Sequence, residues 1–244
     1  MRISAISDVH VKVPHDAADK LLLQFLTHPI VLESDYVVLL GDIFDLMTGP
    51  HPQYLKNFAH LFEQIDSLMK SGKKVFFLEG NHDVHLEKLF IKYWPKGDLR
   101  PSQLPIVEKI DGKSYYFSHG DEHDVHNKSY HNYKNFILTP PLKFVANHLM
   151  PYSVLNFIGE RASRMSRKKG SKGFDEEKVR IKFREGVQLT TAGQALDFII
   201  GGHSHVKDNF LMANGKTVYL NNGYALKSKT FLTIKDHQVS FVQF

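Results

Sequence analysis

Asp, His and Asn side chains recur in five short clusters along this chain: Asp8-Val-His10, Gly41-Asp42-Ile-Phe-Asp45, Gly80-Asn81-His82-Asp83, His119-Gly-Asp121 and Gly202-His203-Ser-His205. They offer carboxylate oxygen, amide oxygen and imidazole nitrogen, the donors that hold borderline-hard divalent ions. Asp42 closes the apolar run Val37-Val-Leu-Leu-Gly41, where a buried carboxylate needs a cation or hydrogen-bond donors. Its two oxygens would let it bridge two ions. Asn81 would add a neutral oxygen ligand. Asp8 and His10 are spaced so that, in a strand, both point to one side, and His203 and His205 repeat that spacing. Asp45 reads as a cap or as a support behind the ligands, and Asp83 as the carboxylate that orients His82. Taken singly, each cluster is an ordinary strand-end turn. Five in series make that reading untenable. The chemistry on offer is hydrolysis at a two-metal centre, where paired ions activate a water and clamp the oxygens of the group under attack.

The elements that must position these residues are legible as short apolar runs. Arg2–Ser7, Tyr36–Leu40, Lys74–Leu78, Ser114–Ser118 and Phe198–Gly201 read as buried strands. Between them, Ala17–Thr27 and Tyr54–Ser71 carry apolar residues at helical spacing, and Gly72 follows the second as a stop. Strands alternating with helices predict an α/β fold with largely parallel central pairing. Lys216–Leu220, Thr230–Ile234 and Val239–Phe241 read as a strand meander, which predicts a mixed sheet or two packed sheets. Every cluster follows a strand, so all five belong on one carboxyl-end rim.

Composition bounds the rest. A chain of 244 residues is long enough for one large domain, and no Pro/Gly/Ser linker divides it. With no cysteine, disulfides and thiolate metal sites are excluded, and any metal must sit on N and O ligands. The absence of cysteine fits a cytoplasmic protein. The N-terminus runs straight into the first cluster and is not expected to be a signal peptide. No apolar stretch approaches the roughly 18–20 residues of a membrane span. The net charge of +5 admits an anionic partner such as a phosphate ester, a nucleic acid or an acidic lipid surface.

The order D-x-H, G-D-x-x-D, G-N-H-D, H-G-D and G-H-x-H, from Ser7 to His205, resembles the calcineurin-like metallophosphoesterase superfamily. The resemblance implies a four-layer α/β/β/α metallophosphoesterase sandwich holding two divalent ions, commonly manganese, iron or zinc. By the same resemblance, Asp8, His10, Asp42 and His205 would hold one ion. Asp42, Asn81, His119 and His203 would hold the other, with Asp42 shared. His82 matches the histidine that contacts the phosphoryl oxygen or assists the leaving group.

Residues 122–195 hold no convincing strand and read as a helical insertion, or lid, within a single 1–244 domain. The series from His119-Gly-Asp121 through Asp124, Tyr130, Lys134, Pro141, Pro151, Arg161 and Arg164 resembles the UDP-2,3-diacylglucosamine hydrolases of lipid A synthesis. That resemblance implies a lid over the acyl chains and release of UMP and a lipid monophosphate. It also implies a peripheral place on the cytoplasmic face of a bacterial inner membrane, with manganese as the leading metal. Substrate contacts are then expected from Asp124, Tyr130, Lys134, Arg161, Arg164 and Lys168, the last three within a basic run that suits phosphates or anionic headgroups. The chain departs from those hydrolases at His82, where they carry Arg, and at Glu122 and Ser204. A nucleotide, cyclic-dinucleotide or nucleic-acid phosphodiesterase is a second reading, although stacking aromatics are missing from Arg161–Lys172. A non-catalytic binding scaffold is a third, opposed by the complete set of ligand positions.

Overall fold

The computed structural model describes residues 1–97, 99–155, 157, 161 and 174–244. Among the described residues, thirteen strands form two main sheets and one small ribbon. In the first sheet, β1 (Arg2–Ile6), β2 (Tyr36–Leu39), β4 (Lys74–Leu78) and β6 (Pro101–Ser102) run parallel. The hairpin β12 (Thr230–Lys235) and β13 (Gln238–Gln243) adds antiparallel to β1. In the second sheet, β8 (Lys113–Phe117), β9 (Phe198–Gly201) and β11 (Val218–Asn221) run parallel. Antiparallel β7 (Ile106–Ile110) and β10 (Asp208–Leu211) close its two edges. The ribbon pairs β3 (Met47–Thr48) with β5 (Asp83–Val84). The tail is thus not one meander: β11 joins the second sheet and the β12–β13 hairpin the first.

Side-chain alternation along the strands builds the layers. Ile3, Ala5, Val38, Leu40 and Leu78 face Phe117, Phe198, Ile200 and Leu220 of the second sheet, forming an apolar layer between the sheets. The intervening residues, among them Ile6, Val37, Leu39 and Phe77, face the other way. They pack against α1 (Ala17–Thr27), α2 (Pro29–Leu32), α3 (Pro52–Asn57), α4 (Ala59–Lys70) and α5 (Glu87–Tyr93). On the far face of the second sheet, Tyr116, Ile199 and Tyr219 meet Val187 of the helix Glu176–Thr190. The result is a four-layer α/β/β/α sandwich.

The sequence reading matches α1 end to end, with Asp16 as its N-cap accepting from the Asp19 amide at 2.8 Å. The single helix expected over Tyr54–Ser71 is two, because Phe58 leaves the helical region at φ −115° and ψ 24°. Gly72, at φ 87°, does terminate the second. Within 122–195, the helix Glu176–Thr190 forms the outer layer of the sandwich. In contrast, α6 (Lys128–Ile137) and α7 (Pro140–His148) bury no residue fully.

Candidate metal centre

All five clusters lie just beyond the carboxyl ends of β1, β2, β4, β8 and β9, so both sheets contribute to one rim. The residues after β1 and β9 do not point together by strand alternation, as their spacing predicts. Asp8, His10, Asp42, His203 and His205 all sit in left-handed backbone, at φ 51°, 56°, 51°, 63° and 58°. Asp and His tolerate this region better than most residues, and clusters of such conformations mark sites where surrounding structure over-determines the chain. Here the over-determination is visible: the amides of Val9 and His10 both donate to the Asp42 carbonyl at 3.0 Å, and the Asp8 amide donates to Gly41 at 3.2 Å.

These bends bring donor atoms into two groups. In the first, His205 Nε2 lies 3.3 Å from Asp8 Oδ1 and 3.3 Å from His10 Nε2, which is 3.9 Å from Asp42 Oδ2. In the second, His119 Nε2 lies 3.7 Å from the same Asp42 Oδ2 and 3.2 Å from Asn81 Oδ1. His203 Nδ1 completes it, 3.0 Å from Asn81 Oδ1 and 3.3 Å from His119 Nε2. Adjacent ligands of one ion at about 2.1 Å stand about 3.0 Å apart in octahedral and about 3.4 Å apart in tetrahedral geometry, and most of these separations fall in that range. The seven residues therefore fit a pair of divalent ions.

Asp42 would bridge through one oxygen rather than through both. Its Oδ1 accepts the amides of Asn81 and His82 at 2.8 and 2.9 Å, so Oδ2 alone faces both groups. Asp83 does not orient His82. Its buried carboxylate accepts the amides of Asp42, Ile43, Phe44 and Gly80 at 3.0, 2.7, 3.2 and 2.7 Å. His82 is oriented by the Asp45 carbonyl, 2.8 Å from its Nδ1, which turns Nε2 outward. The Asp45 side chain caps no helix and stands 3.7 Å from His10 Nδ1. Two glycines are required by close approach: a Cβ on Gly80 would stand 2.2 Å from Asp42 Oδ1, and one on Gly202 2.6 Å from Asp8 Oδ2.

The electrostatics also call for cations. Burial lowers His10 to about 4, and burial together with His119 lowers His203 to about 4. Both imidazoles are therefore neutral, with lone pairs to offer at neutral pH. Burial opposes charge on His119, yet the carboxylates of Asp42, Asp121 and Asp8 raise it to about 9. Its Nδ1 lies 2.9 Å from the Leu40 carbonyl, which leaves Nε2 for the cluster and fixes the ring. The carboxylates thus draw positive charge to this position.

The expected substrate contacts divide. Tyr130 and Lys134 reach the rim: Tyr130 donates to Asp121 Oδ2 at 2.7 Å, Lys134 pairs with the same oxygen, and the Tyr130 ring lies 5.1 Å from that of His203. Asp124 is buried and engaged by Asn127 at 2.9 Å and by Lys182, so it ties this segment to the helix Glu176–Thr190. Arg161 is exposed, while Arg164 and Lys168 lie outside the described residues. Sequence reasoning assigned no role to Asp121 or to Tyr224. The Tyr224 ring stacks on His205 at 5.3 Å and 18°. Asp121 stood inside a quoted motif and was the findable one; Tyr224 carried no signal.

Fold and donor groups together define a metal-dependent hydrolase. The chain belongs to the calcineurin-like phosphoesterase family, whose model matches residues 1–207. Among curated proteins it is similar to a UDP-2,3-diacylglucosamine hydrolase of Aliivibrio fischeri, 24% identical over 219 residues that cover 85% of this chain and 83% of that one. It is also similar to the protein of that name from Blochmanniella floridana, 27% identical over 207 residues covering 84% and 80%. Among solved structures, an archaeal phosphodiesterase aligns over the whole of both chains at 16% identity and a TM-score of 0.46.

Proposed function

We propose that the chain cleaves the pyrophosphate of UDP-2,3-diacylglucosamine, giving UMP and 2,3-diacylglucosamine 1-phosphate. The observation that carries the reading is Asp42 Oδ2 facing two donor groups at once, one on each side. Asp8, His10, Asp42 and His205 would hold one divalent ion and Asp42, Asn81, His119 and His203 a second, manganese foremost and iron or zinc as substitutes. The pair would supply an activated water and a clamp on the phosphoryl oxygens.

The chain's own residues do the remaining work. His82, steadied through Nδ1 by the Asp45 carbonyl, presents Nε2 to a phosphoryl oxygen or to the departing phosphate. Lys134 and Tyr130, gathered on Asp121 beside His203, supply positive charge and a hydroxyl donor at the rim. The insertion supports an acylated substrate. Tyr133, Phe136, Phe144, Leu149, Val154 and Phe157 are exposed along it, an apolar surface that acyl chains would cover. The names of the curated relatives support the same substrate. Among the described residues no helix is long and apolar enough to cross a membrane. An acylated substrate would bring the protein to the cytoplasmic face of the inner membrane as a peripheral partner.

The test incubates manganese-loaded protein with UDP-2,3-diacylglucosamine and follows UMP, with His10→Ala as control. Release well above the control is expected. No release, or faster hydrolysis of a cyclic dinucleotide or single-stranded DNA, would replace this substrate with the phosphodiesterase reading.

A further inference from the structure

Among the described residues, one group of convergent metal donors shares no residue with the centre described above: His15, Asp19 and His60. We infer that these three residues form a separate site for a single transition ion on the helical face of the molecule. The Asp19 carboxylate is 1% exposed, although it opens helix α1 where an acidic side chain ordinarily reaches solvent. His60 of α4 points Nε2 at both of its oxygens, 2.9 Å from each. His15 approaches from the other side, with Nδ1 3.9 Å from Asp19 Oδ2 and its ring 5.0 Å from that of His60.

The loop carrying His15 is built for this placement. Asp16 accepts the amides of Lys12, Val13 and Asp19 at 3.1, 3.3 and 2.8 Å. His15 itself is held at φ 67°, in left-handed backbone like the residues of the main centre. Tetrahedral ligands at about 2.0–2.1 Å lie about 3.3 Å apart. His60 needs to retreat by a few tenths of an ångström and His15 to close by about half an ångström. The His15 side chain is 76% exposed and has room to turn. Two imidazole nitrogens and one carboxylate favour zinc, nickel or copper over magnesium, calcium or manganese. The ion would replace the proton between His60 Nε2 and the Asp19 carboxylate, leaving its outer position to water. It would tie the loop that follows His10 to α4.

The bland alternative is that His60 and Asp19 merely pin α4 to α1. His15 separates the two, because its loss leaves that pair intact. Chelator-stripped wild-type and His15→Ala proteins are titrated with zinc, and bound zinc is counted by elemental analysis after dialysis. His15→Ala is expected to hold one zinc fewer per chain, or to bind that ion at least roughly tenfold more weakly. Cobalt is expected to give the wild type a tetrahedral visible band that the variant lacks, while manganese-supported turnover is unchanged. His60→Ala is expected to lose the same ion, and if it does not fold, His15→Ala decides alone. Equal zinc content and identical cobalt spectra in wild type and His15→Ala would overturn the site. Because the measurement is a difference between two chains, failure of the main centre to bind metal would leave it intact.

Discussion

Asp83 and Asp42 clamp each other's loops. The Asp83 carboxylate accepts the Asp42, Ile43 and Phe44 amides, and the Asp42 carboxylate accepts the Asn81 and His82 amides in return. Each loop is thus organised by the acid of the other. One Asp42 oxygen is consumed in the exchange and the second is fixed in the centre. Asp83→Asn would turn an NH2 group toward two backbone donors and leave them unpaired. We expect a loss of roughly 2–5 kcal/mol in unfolding free energy by urea titration, together with reduced metal content. An unchanged urea midpoint would show that the clamp is dispensable.

Asp42→Ala removes the oxygen that faces both donor groups. Bound metal, measured by elemental analysis after dialysis, is expected to fall at both positions, and turnover to vanish. Retention of two ions with near-normal rates would mean that the groups are independent.

His82 converges with His10 and Asp45 but lies outside the two groups that meet at Asp42. His82→Ala is expected to spare metal content while lowering kcat by roughly 10²–10⁴. A parallel loss of metal would move His82 into the ligand set.

Asp121 gathers Lys134 and Tyr130 beside His203. Its carboxylate also contributes to the positive charge favoured at His119. Asp121→Asn is expected to weaken manganese binding about tenfold, read by electron paramagnetic resonance titration, and to cost roughly 1–3 kcal/mol of stability. Full manganese affinity in this variant would confine Asp121 to holding α6 through Tyr130 and Lys134.

How much of this was legible in the sequence depended on how locally each feature is determined. The runs before Asp8, Asp42, Asn81, His119 and His203 announced strands, and a polar cluster at the end of each strand announced a rim. Spacing could not report the left-handed turns at Asp8, His10, His203 and His205, because acceptors on other loops hold them: the Gly41 and Asp42 carbonyls take the amides around Asp8, and the Asp8 carboxylate takes the His203 amide. For the same reason spacing pairs Asp83 with its neighbour His82, when three of its four amide partners lie on a loop some forty residues away. Three of the tail strands are legible and β10 is not, and their division between two sheets is a tertiary choice: β11 extends β9, and β12 extends β1. The break at Phe58 was hidden because α3 and α4 keep one apolar period across it.

The donor groups are recruited from both sheets, Asp8, His10, Asp42 and Asn81 from the first and His119, His203 and His205 from the second. The apolar layer between the sheets sets the gap across which those donors meet, and the contacts of His119 with the Leu40 carbonyl and of the His203 amide with Asp8 span it. Ile3, Ala5, Leu40, Phe117 and Ile200 therefore act as a spacer gauge, although none of them carries a donor. A methylene added or removed there would alter the bite of both ion positions together. Metal affinity in this protein is, in that sense, a measurement of how far apart its two sheets are held.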